Sequence, residues 1–83
     1  MFYVYILKSE KDRRYYIGCT GNIVVRVTWH NDGKNKSTVH RRPLKLVYYE
    51  SYASKKEALK RERQIKSYKG GNEFIKLFHG EVA

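Results

Sequence analysis

The chain has 83 residues and carries 18 Lys and Arg against 8 Asp and Glu, which gives a formal net charge of +10. This length permits one small domain with one core, and a content of 41% hydrophobic residues argues against a disordered chain. The large positive charge favours a polyanionic partner, although a basic protein that is merely soluble remains the alternative.

The cellular location is predicted from cysteine usage and from the length of the first apolar run. Cys19 is the single cysteine, so no intramolecular disulfide can form and a reducing compartment fits. The apolar run over residues 2–7 is too short for a membrane span or for the core of a signal peptide. We therefore expect a cytoplasmic protein that makes no membrane contact.

Three segments have the composition of β-strands. Residues 2–7 are rich in aromatic and β-branched side chains, and they precede a polar turn over residues 9–13. Residues 15–18, which end at Gly18, then form the second strand of an antiparallel hairpin. Pro43 precedes the third strand, residues 44–49.

The segment 23–30 gives conflicting signals about its secondary structure. Five of its eight residues are β-branched, and propensity alone favours a strand. However, Asn22 can cap a helix, and a helix places four residues on one face, namely Ile23, Arg26, Val27 and His30. We therefore predict a helix in which Val24 and Val25 face outward.

Two further helices are predicted after the third strand. Ser54 and Glu57 have the spacing of a capping box, so a helix begins at Lys55 and ends before Gly70. Asn72 can cap a last short helix over residues 72–79, whose apolar positions keep helical spacing: Phe74, Ile75, Leu77 and Phe78. The elements predict an α/β fold of the α+β type, with a three-stranded, mainly antiparallel sheet flanked by helices. It forms a single domain over residues 1–83, with a core over residues 2–68.

Charged residues lie next to apolar positions on two of the predicted helices. Arg26 shares the face that anchors the first helix, and an unpaired buried guanidinium is very costly. Glu62 lies within the apolar stripe of the second helix, which is formed by Ala58, Leu59 and Ile65. A structural ion pair between Arg26 and Glu62 explains both residues. They are equally explained if Arg26 binds a phosphate and Glu62 binds a divalent metal ion.

The segment 31–42 is polar and basic, and it is predicted to form an irregular loop. Its cationic side chains are candidates for contacts with a nucleic-acid backbone, namely Lys34, Lys36, His40, Arg41 and Arg42. Such contacts give affinity without sequence information. A second basic set lies opposite Glu62 on its helix and is predicted to be a solvated face: Lys56, Lys60 and Arg63.

Two tyrosine motifs and three later polar residues resemble the GIY-YIG nuclease superfamily, in particular its small stand-alone bacterial members. The motifs are Tyr3-Val4-Tyr5 and Tyr16-Ile17-Gly18, and the later residues are Arg26, His30 and Glu62. The most specific part is the second motif with Arg26 eight residues beyond Gly18. The resemblance runs from about Tyr3 to Ile65, and Tyr3 replaces the glycine that opens the family motif.

The resemblance implies a metal-dependent enzyme that hydrolyses phosphodiester bonds of nucleic acids. It implies catalytic roles for Tyr5, Tyr16, Arg26 and His30, with Tyr5 as the general base or water-positioning group. For His30 taken alone, a hydrogen-bonded core histidine is the simpler interpretation.

The same resemblance implies that Glu62 holds one divalent ion, Mg²⁺ or Mn²⁺. It implies that the partner is nucleic acid, and DNA is expected in preference to RNA. A protein partner that supplies specificity is also possible. A catalytically silent nucleic-acid-binding module with the same fold is the alternative function, and a protein-interaction domain is a third.

Overall fold

A computed structural model describes residues 1–79 of the chain. The elements occur in the order β1 (Phe2–Ser9), β2 (Tyr15–Thr20), α1 (Ile23–Asn31), β3 (Leu44–Tyr52), α2 (Lys55–Ser67) and α3 (Asn72–His79). All strand pairings are antiparallel, which confirms the predicted α+β fold with a three-stranded sheet. The last part of the predicted domain, residues 80–83, lies outside the described residues. Within residues 1–79, no helix is long and apolar enough to cross a membrane.

The position of β1 explains the continuous apolar run at the start of the sequence. The strand order is β2-β1-β3, so β1 lies in the middle of the sheet. Val4 and Ile6 pack against α2 and α3 on one face, whereas Tyr5 and Leu7 pack beside Val27 of α1 on the other. Because both faces are covered, β1 needs apolar residues at successive positions instead of an alternating pattern.

The helix α1 forms although its sequence favours a strand. The side-chain oxygen of Asn22 accepts a hydrogen bond from the Val25 amide at 3.1 Å and caps the helix. Val27 packs against the sheet and His30 is fully buried, while Val24 and Val25 are 76% and 62% exposed, as predicted. The cap and the buried face together outweigh the strand propensity of the β-branched residues.

Several details of the predicted elements are wrong. The strands β1 and β3 extend beyond their predicted ends, to Ser9 and Tyr52. The strand β2 does not end at Gly18, because Gly18 pairs with Tyr5 inside the ladder and the pairing continues to the end of β2. Of the three positions predicted for the apolar stripe of α2, Ala58 and Ile65 are buried, whereas Leu59 is 38% exposed. The start of α2 and the range of α3 agree with the predictions.

A polar cluster fixes α2 against β3. Glu50 on β3 accepts two hydrogen bonds from Arg61 on α2, at 2.8 Å from Nε and 2.9 Å from Nη2. The hydroxyls of Tyr48 and Tyr52 also donate to Glu50. Burial alone would raise the pKa of Glu50, but these hydrogen bonds hold it below its ordinary value. Since Glu62 follows Arg61 directly, the cluster sets the rotation of α2 and so the direction of Glu62.

Replacing Glu50 with glutamine should lower the free energy of unfolding at pH 7 by about 2 kcal/mol, because the half-buried Arg61 loses its carboxylate partner. The pKa of Glu50 is lowered in the folded state. The ionised carboxylate of Glu50 therefore contributes fully to the stability of the folded protein above its ordinary pKa of 4.5. This contribution is lost as the pH falls through the lowered pKa. Urea denaturation at pH 7 and at pH 3 should show a difference between the variant and the parent that shrinks in acid.

Glu73 is the matched control, because its carboxylate is 65% exposed and pairs with the exposed Lys76. Glu73→Gln should change the stability by less than about 0.5 kcal/mol. Equal losses in Glu50→Gln and Glu73→Gln would contradict the structural role of the cluster.

Candidate active site

Tyr5 lies at the centre of the candidate site. It is 2% exposed and points from the middle strand towards α1. Its ring crosses over Gly18 on β2, where an added Cβ would lie 2.5 Å from Cζ and 2.9 Å from Cε1 of Tyr5. Position 18 therefore needs a glycine because the tyrosine ring occupies the space of a side chain.

Three of the predicted catalytic residues are in contact. The hydroxyl oxygen of Tyr5 lies 3.0 Å from Nε2 of His30. The ring of Tyr16 meets the His30 ring edge-on at 4.8 Å between centroids, and it lies 6.4 Å from the Tyr5 ring. The structure thus brings together Tyr5, Tyr16 and His30 from β1, β2 and α1.

Both ring nitrogens of His30 have a hydrogen-bond partner. Nε2 contacts Tyr5, and Nδ1 lies 2.8 Å from Oγ1 of Thr38. Burial lowers the pKa of the His30 imidazole, and the nearby charge of Arg26 lowers it further. His30 is therefore neutral at pH 7. It is a buried histidine with both ring nitrogens hydrogen-bonded, and one of its partners, Tyr5, is a candidate catalytic residue.

Arg26 is held by an aromatic ring and not by a carboxylate. Its guanidinium carbon lies 4.7 Å from the centre of the Trp29 ring, a cation–π contact. The alternative ion pair between Arg26 and Glu62 is not among the salt bridges within residues 1–79. Glu62 instead pairs with Lys66, one turn further along α2, at 3.2 Å. The donors of Arg26 are therefore open to an anionic ligand.

Glu62 approaches the same site from α2. Its side chain is 16% exposed, whereas that of its partner Lys66 is 54% exposed. The charge of Glu62 raises the pKa of both Tyr5 and Cys19. The carboxylate therefore lies within electrostatic range of both side chains.

The donor set fits a magnesium-type site with one protein carboxylate. Among the described residues, no three His, Cys, Asp or Glu side chains form a group that would hold a metal. A Mg²⁺ ion often binds one or two carboxylates, keeps several waters and takes phosphate oxygens from the substrate. Glu62 can supply the carboxylate, and its nearest charged partner is an exposed lysine that can move away.

Burial determines the protonation of Tyr5. Burial raises its pKa above 10, and Tyr16 and Glu62 raise it further, whereas the positive charge of Arg26 lowers it by less. The free protein therefore holds Tyr5 protonated at neutral pH. Burial also raises the pKa of the Cys19 thiol, so Cys19 is not a thiolate nucleophile.

The basic loop residues differ in how available they are to a ligand. Lys34, Lys36, His40 and Arg42 are exposed. Arg41 is half-buried, and its guanidinium donates to Asp12 at 3.0 Å and to a backbone carbonyl at 3.3 Å. The guanidinium of Arg42 also donates to a backbone carbonyl, at 2.8 Å from Nε. The two lysines and His40 therefore suit a phosphate contact better than the two arginines do.

Two residues of the site were not recognised in the sequence. Thr38 belongs to a loop of polar residues with no pattern, and only the folded chain brings it to His30. Trp29 faces partly outward on α1, and its contact with Arg26 depends on spacing i, i+3. That spacing is a signal that sequence analysis can use.

Comparisons with known proteins identify the family to which the chain belongs. The family model of the GIY-YIG catalytic domain matches residues 1–73. A UPF0213 protein of Staphylococcus haemolyticus is 49% identical over 67 residues, which cover 80% of each chain. A UPF0213 protein of Clostridium perfringens is also 49% identical over 67 residues, covering 80% of this chain and 71% of the relative.

A solved structure belongs to the same group of relatives. The solution NMR structure of a UPF0213 protein from Bacillus halodurans has 38% sequence identity, covers 81% of this chain and 72% of that chain, and has a TM-score of 0.49. The family match includes every residue that converges on Tyr5. This chain therefore belongs to the GIY-YIG family, with UPF0213 proteins among its relatives.

Proposed function

We propose that this chain is a metal-dependent nuclease that hydrolyses phosphodiester bonds of nucleic acid. One observation supports this most strongly: the Tyr5 hydroxyl contacts His30, the Tyr16 ring lies beside the Tyr5 ring, and the charges of Arg26 and Glu62 both act on the pKa of Tyr5. GIY-YIG nucleases act on nucleic acid and use a divalent metal in general, so family membership supports the same reaction class.

In the proposed reaction, a water attacks phosphorus in line while the leaving oxygen departs on the opposite side. Tyr5 positions this water and takes its proton. Arg26 directs its free donors at the phosphoryl oxygens, whose negative charge grows in the transition state. Glu62 would hold a divalent ion, Mg²⁺ or Mn²⁺, which would supply positive charge to offset the negative charge that develops during hydrolysis.

The proton transfer from water to Tyr5 requires a change in the electrostatics of the free protein. Burial holds Tyr5 protonated, so the phenol must first release its own proton to a solvent water molecule, which carries it away before Tyr5 accepts the proton of the attacking water. Arg26 already favours the ionised form, and further positive charge near Glu62 would act in the same direction. Tyr5 is therefore expected to become an effective base only when the site is assembled with its substrate.

A cleavage assay tests the proposal. The protein is incubated with labelled single-stranded, duplex and branched DNA and with matched RNA, each in the presence of Mn²⁺ or of EDTA. Metal-dependent products from at least one substrate are expected, and DNA is proposed ahead of RNA. Binding without cleavage under all conditions would favour the catalytically silent module. Neither binding nor cleavage would favour a protein-interaction domain.

Binding should depend on salt, because the exposed basic loop contacts phosphates. We expect affinity in the micromolar range at moderate salt, an order of magnitude typical of non-specific contacts. Changing both Lys34 and Lys36 to alanine should reduce the slope of log affinity against log salt by roughly one per lysine. Fluorescence anisotropy across a salt series measures this slope.

The matched control removes two lysines from the solvated face of α2, Lys56 and Lys60, which are both exposed. It changes the net charge equally and should alter the slope less. Equal effects of the two double variants would contradict a specific role for the loop. Since phosphate contacts carry no sequence information, the proposal assigns specificity to nucleic-acid shape or to a protein partner.

A further inference from the structure

Two tyrosines flank Tyr5 on the face of the sheet that α1 covers. Tyr3 precedes Tyr5 by two positions on β1, and Tyr49 on β3 pairs directly with Tyr5. Residues two apart on a strand, and residues that pair directly across strands, point to the same face of the sheet. The two tyrosines line an open groove between the start of α1 and β3. Neither has a role in the proposed reaction.

The ring of Tyr49 is available to a ligand. Tyr49 is 56% exposed, although it is a large aromatic residue, and Tyr3 is half-buried. Their rings meet edge to face, with 6.1 Å between the centroids and an angle of 68° between the planes. Because the two rings do not stack face to face, Tyr49 keeps ring surface that a planar ligand can cover.

The walls of the groove are mostly apolar. Its aliphatic residues are Ile23 and Val24 at the start of α1 and Leu46 on β3. Asn22 adds one amide, whose oxygen accepts a hydrogen bond from Val25 and whose nitrogen is a further donor. The volume of about 440 Å³ lies within the range of sites for small molecules. Such a groove suits a flat, weakly polar group.

The charges around the groove suit a polyanion. None of the residues that line it is acidic. Arg26 follows Ile23 by one turn and is the only charged residue of α1 at neutral pH. Glu50 lies next to Tyr49 in the sequence, but it binds Arg61 on the opposite face of the sheet.

A nucleobase fits this groove better than a second protein does. The base is the planar and weakly polar part of a polyanionic chain, and proteins commonly bind unpaired bases by stacking them on tyrosine rings. A stable protein interface covers about 800 Å² on each partner, far more than the ring of Tyr49 and the walls beside it provide.

We propose that the groove is a stacking site for one unpaired nucleobase of a nucleic-acid strand, with the ring of Tyr49 as the platform against which Tyr3 packs. Directly paired residues have Cβ atoms about 5 Å apart, so a base on Tyr49 brings its own backbone next to Tyr5. Strands with an unpaired base beside the scissile phosphate are then preferred to a continuous duplex. This preference in cleavage rests on the proposed nuclease function, whereas the binding of the base does not.

The fluorescence of 2-aminopurine tests the stacking directly, because this base loses fluorescence when it stacks on an aromatic ring. The probes are a short single strand in which 2-aminopurine alternates with thymine, and the same strand paired in a duplex. Each is titrated with the whole protein in EDTA, and the anisotropy of an end label reports binding. Binding should quench the single strand and leave the duplex signal unchanged. A single strand that is not bound, or is bound without quenching, would overturn the proposal.

Tyr49→Leu keeps an apolar side chain and removes the ring. It should abolish most of the quenching and weaken the binding of the single strand by about tenfold, as expected when one stacking ring is lost. Its affinity for the duplex should not change. Tyr49→Phe keeps the ring and should behave as the parent. Leu59→Ala removes an exposed apolar side chain from α2, on the other side of the sheet, and as the matched control it should change neither quantity.

The outcomes separate this inference from the nuclease proposal. Loss of quenching in Tyr49→Leu supports the stacking site even if no substrate is cleaved. Unchanged quenching in a folded Tyr49→Leu variant would overturn the inference and leave the nuclease proposal intact. An equal loss of affinity for strand and duplex would also overturn it, because a paired base cannot stack on the ring. If Tyr49→Leu instead abolished self-association and kept strand affinity, the groove would bind a second copy of the chain, which contradicts the proposal.

Discussion

Replacing Arg26 with alanine should lower the rate of metal-dependent cleavage by roughly two orders of magnitude or more, while nucleic-acid binding stays nearly intact. The reason is that Arg26 contacts the ring of Trp29 and leaves its donors open to a phosphate. A contact that strengthens as charge grows on the phosphate lowers the barrier more than it lowers the dissociation constant. Single-turnover cleavage and anisotropy titrations on the same protein preparation separate the two effects.

The control for Arg26 is an arginine of equal charge outside the site. Arg63 is exposed on α2 and points about 100° away from Glu62 around the helix axis. Arg63→Ala should leave the cleavage rate within about twofold, since its loss changes only an exposed, screened charge. A parallel fall of binding and cleavage in Arg26→Ala would make Arg26 a ground-state phosphate clamp. Unfolding of the variant would show that Arg26 is structural.

Replacing Glu62 with glutamine should abolish metal-dependent cleavage and leave the stability unchanged to within about 0.5 kcal/mol. The small effect on stability follows because the charged partner of Glu62 is Lys66, an exposed i,i+4 lysine and a weak ion pair. Thermal melts with and without Mn²⁺, recorded beside a cleavage assay, measure both quantities. Lys66→Gln breaks the same ion pair without removing the carboxylate, and it should still cleave.

Two results would contradict the metal-ligand role of Glu62. A loss of about 3 kcal/mol without metal would show that the carboxylate is a buried structural partner. Faster cleavage in Glu62→Gln would show that Glu62 acts only through its charge. That charge raises the pKa of Tyr5, so its removal alone would make Tyr5 easier to ionise.

Much of the fold could be predicted because local signals and burial agree. The apolar run of β1, the Ser54 cap of α2 and the spacing of α3 each specify an element by themselves. The end of β2 could not be predicted, because a glycine in a strand pattern usually indicates that the strand ends. The glycine is needed inside the ladder for a different reason, namely the Tyr5 ring that lies over it.

The candidate site was predicted less completely, because several contacts depend on tertiary structure. Family spacing identified Tyr5, Arg26 and Glu62, but the sequence left open whether the last two form an ion pair. The rotation of α2, which Glu50 and its partners fix, places Glu62 against Lys66 instead. No local pattern connects a loop threonine to a buried histidine, and so Thr38 needed the structure.

The most direct test of the proposed site compares the rates at which the parent protein and Tyr5→Phe cleave one substrate. The substitution removes one hydroxyl and retains the ring that packs over Gly18, so the fold should persist. With Mn²⁺ the parent should cleave and Tyr5→Phe should be slower by two orders of magnitude or more, while EDTA should stop cleavage by both. Equal cleavage by the two proteins would contradict a nuclease site centred on Tyr5.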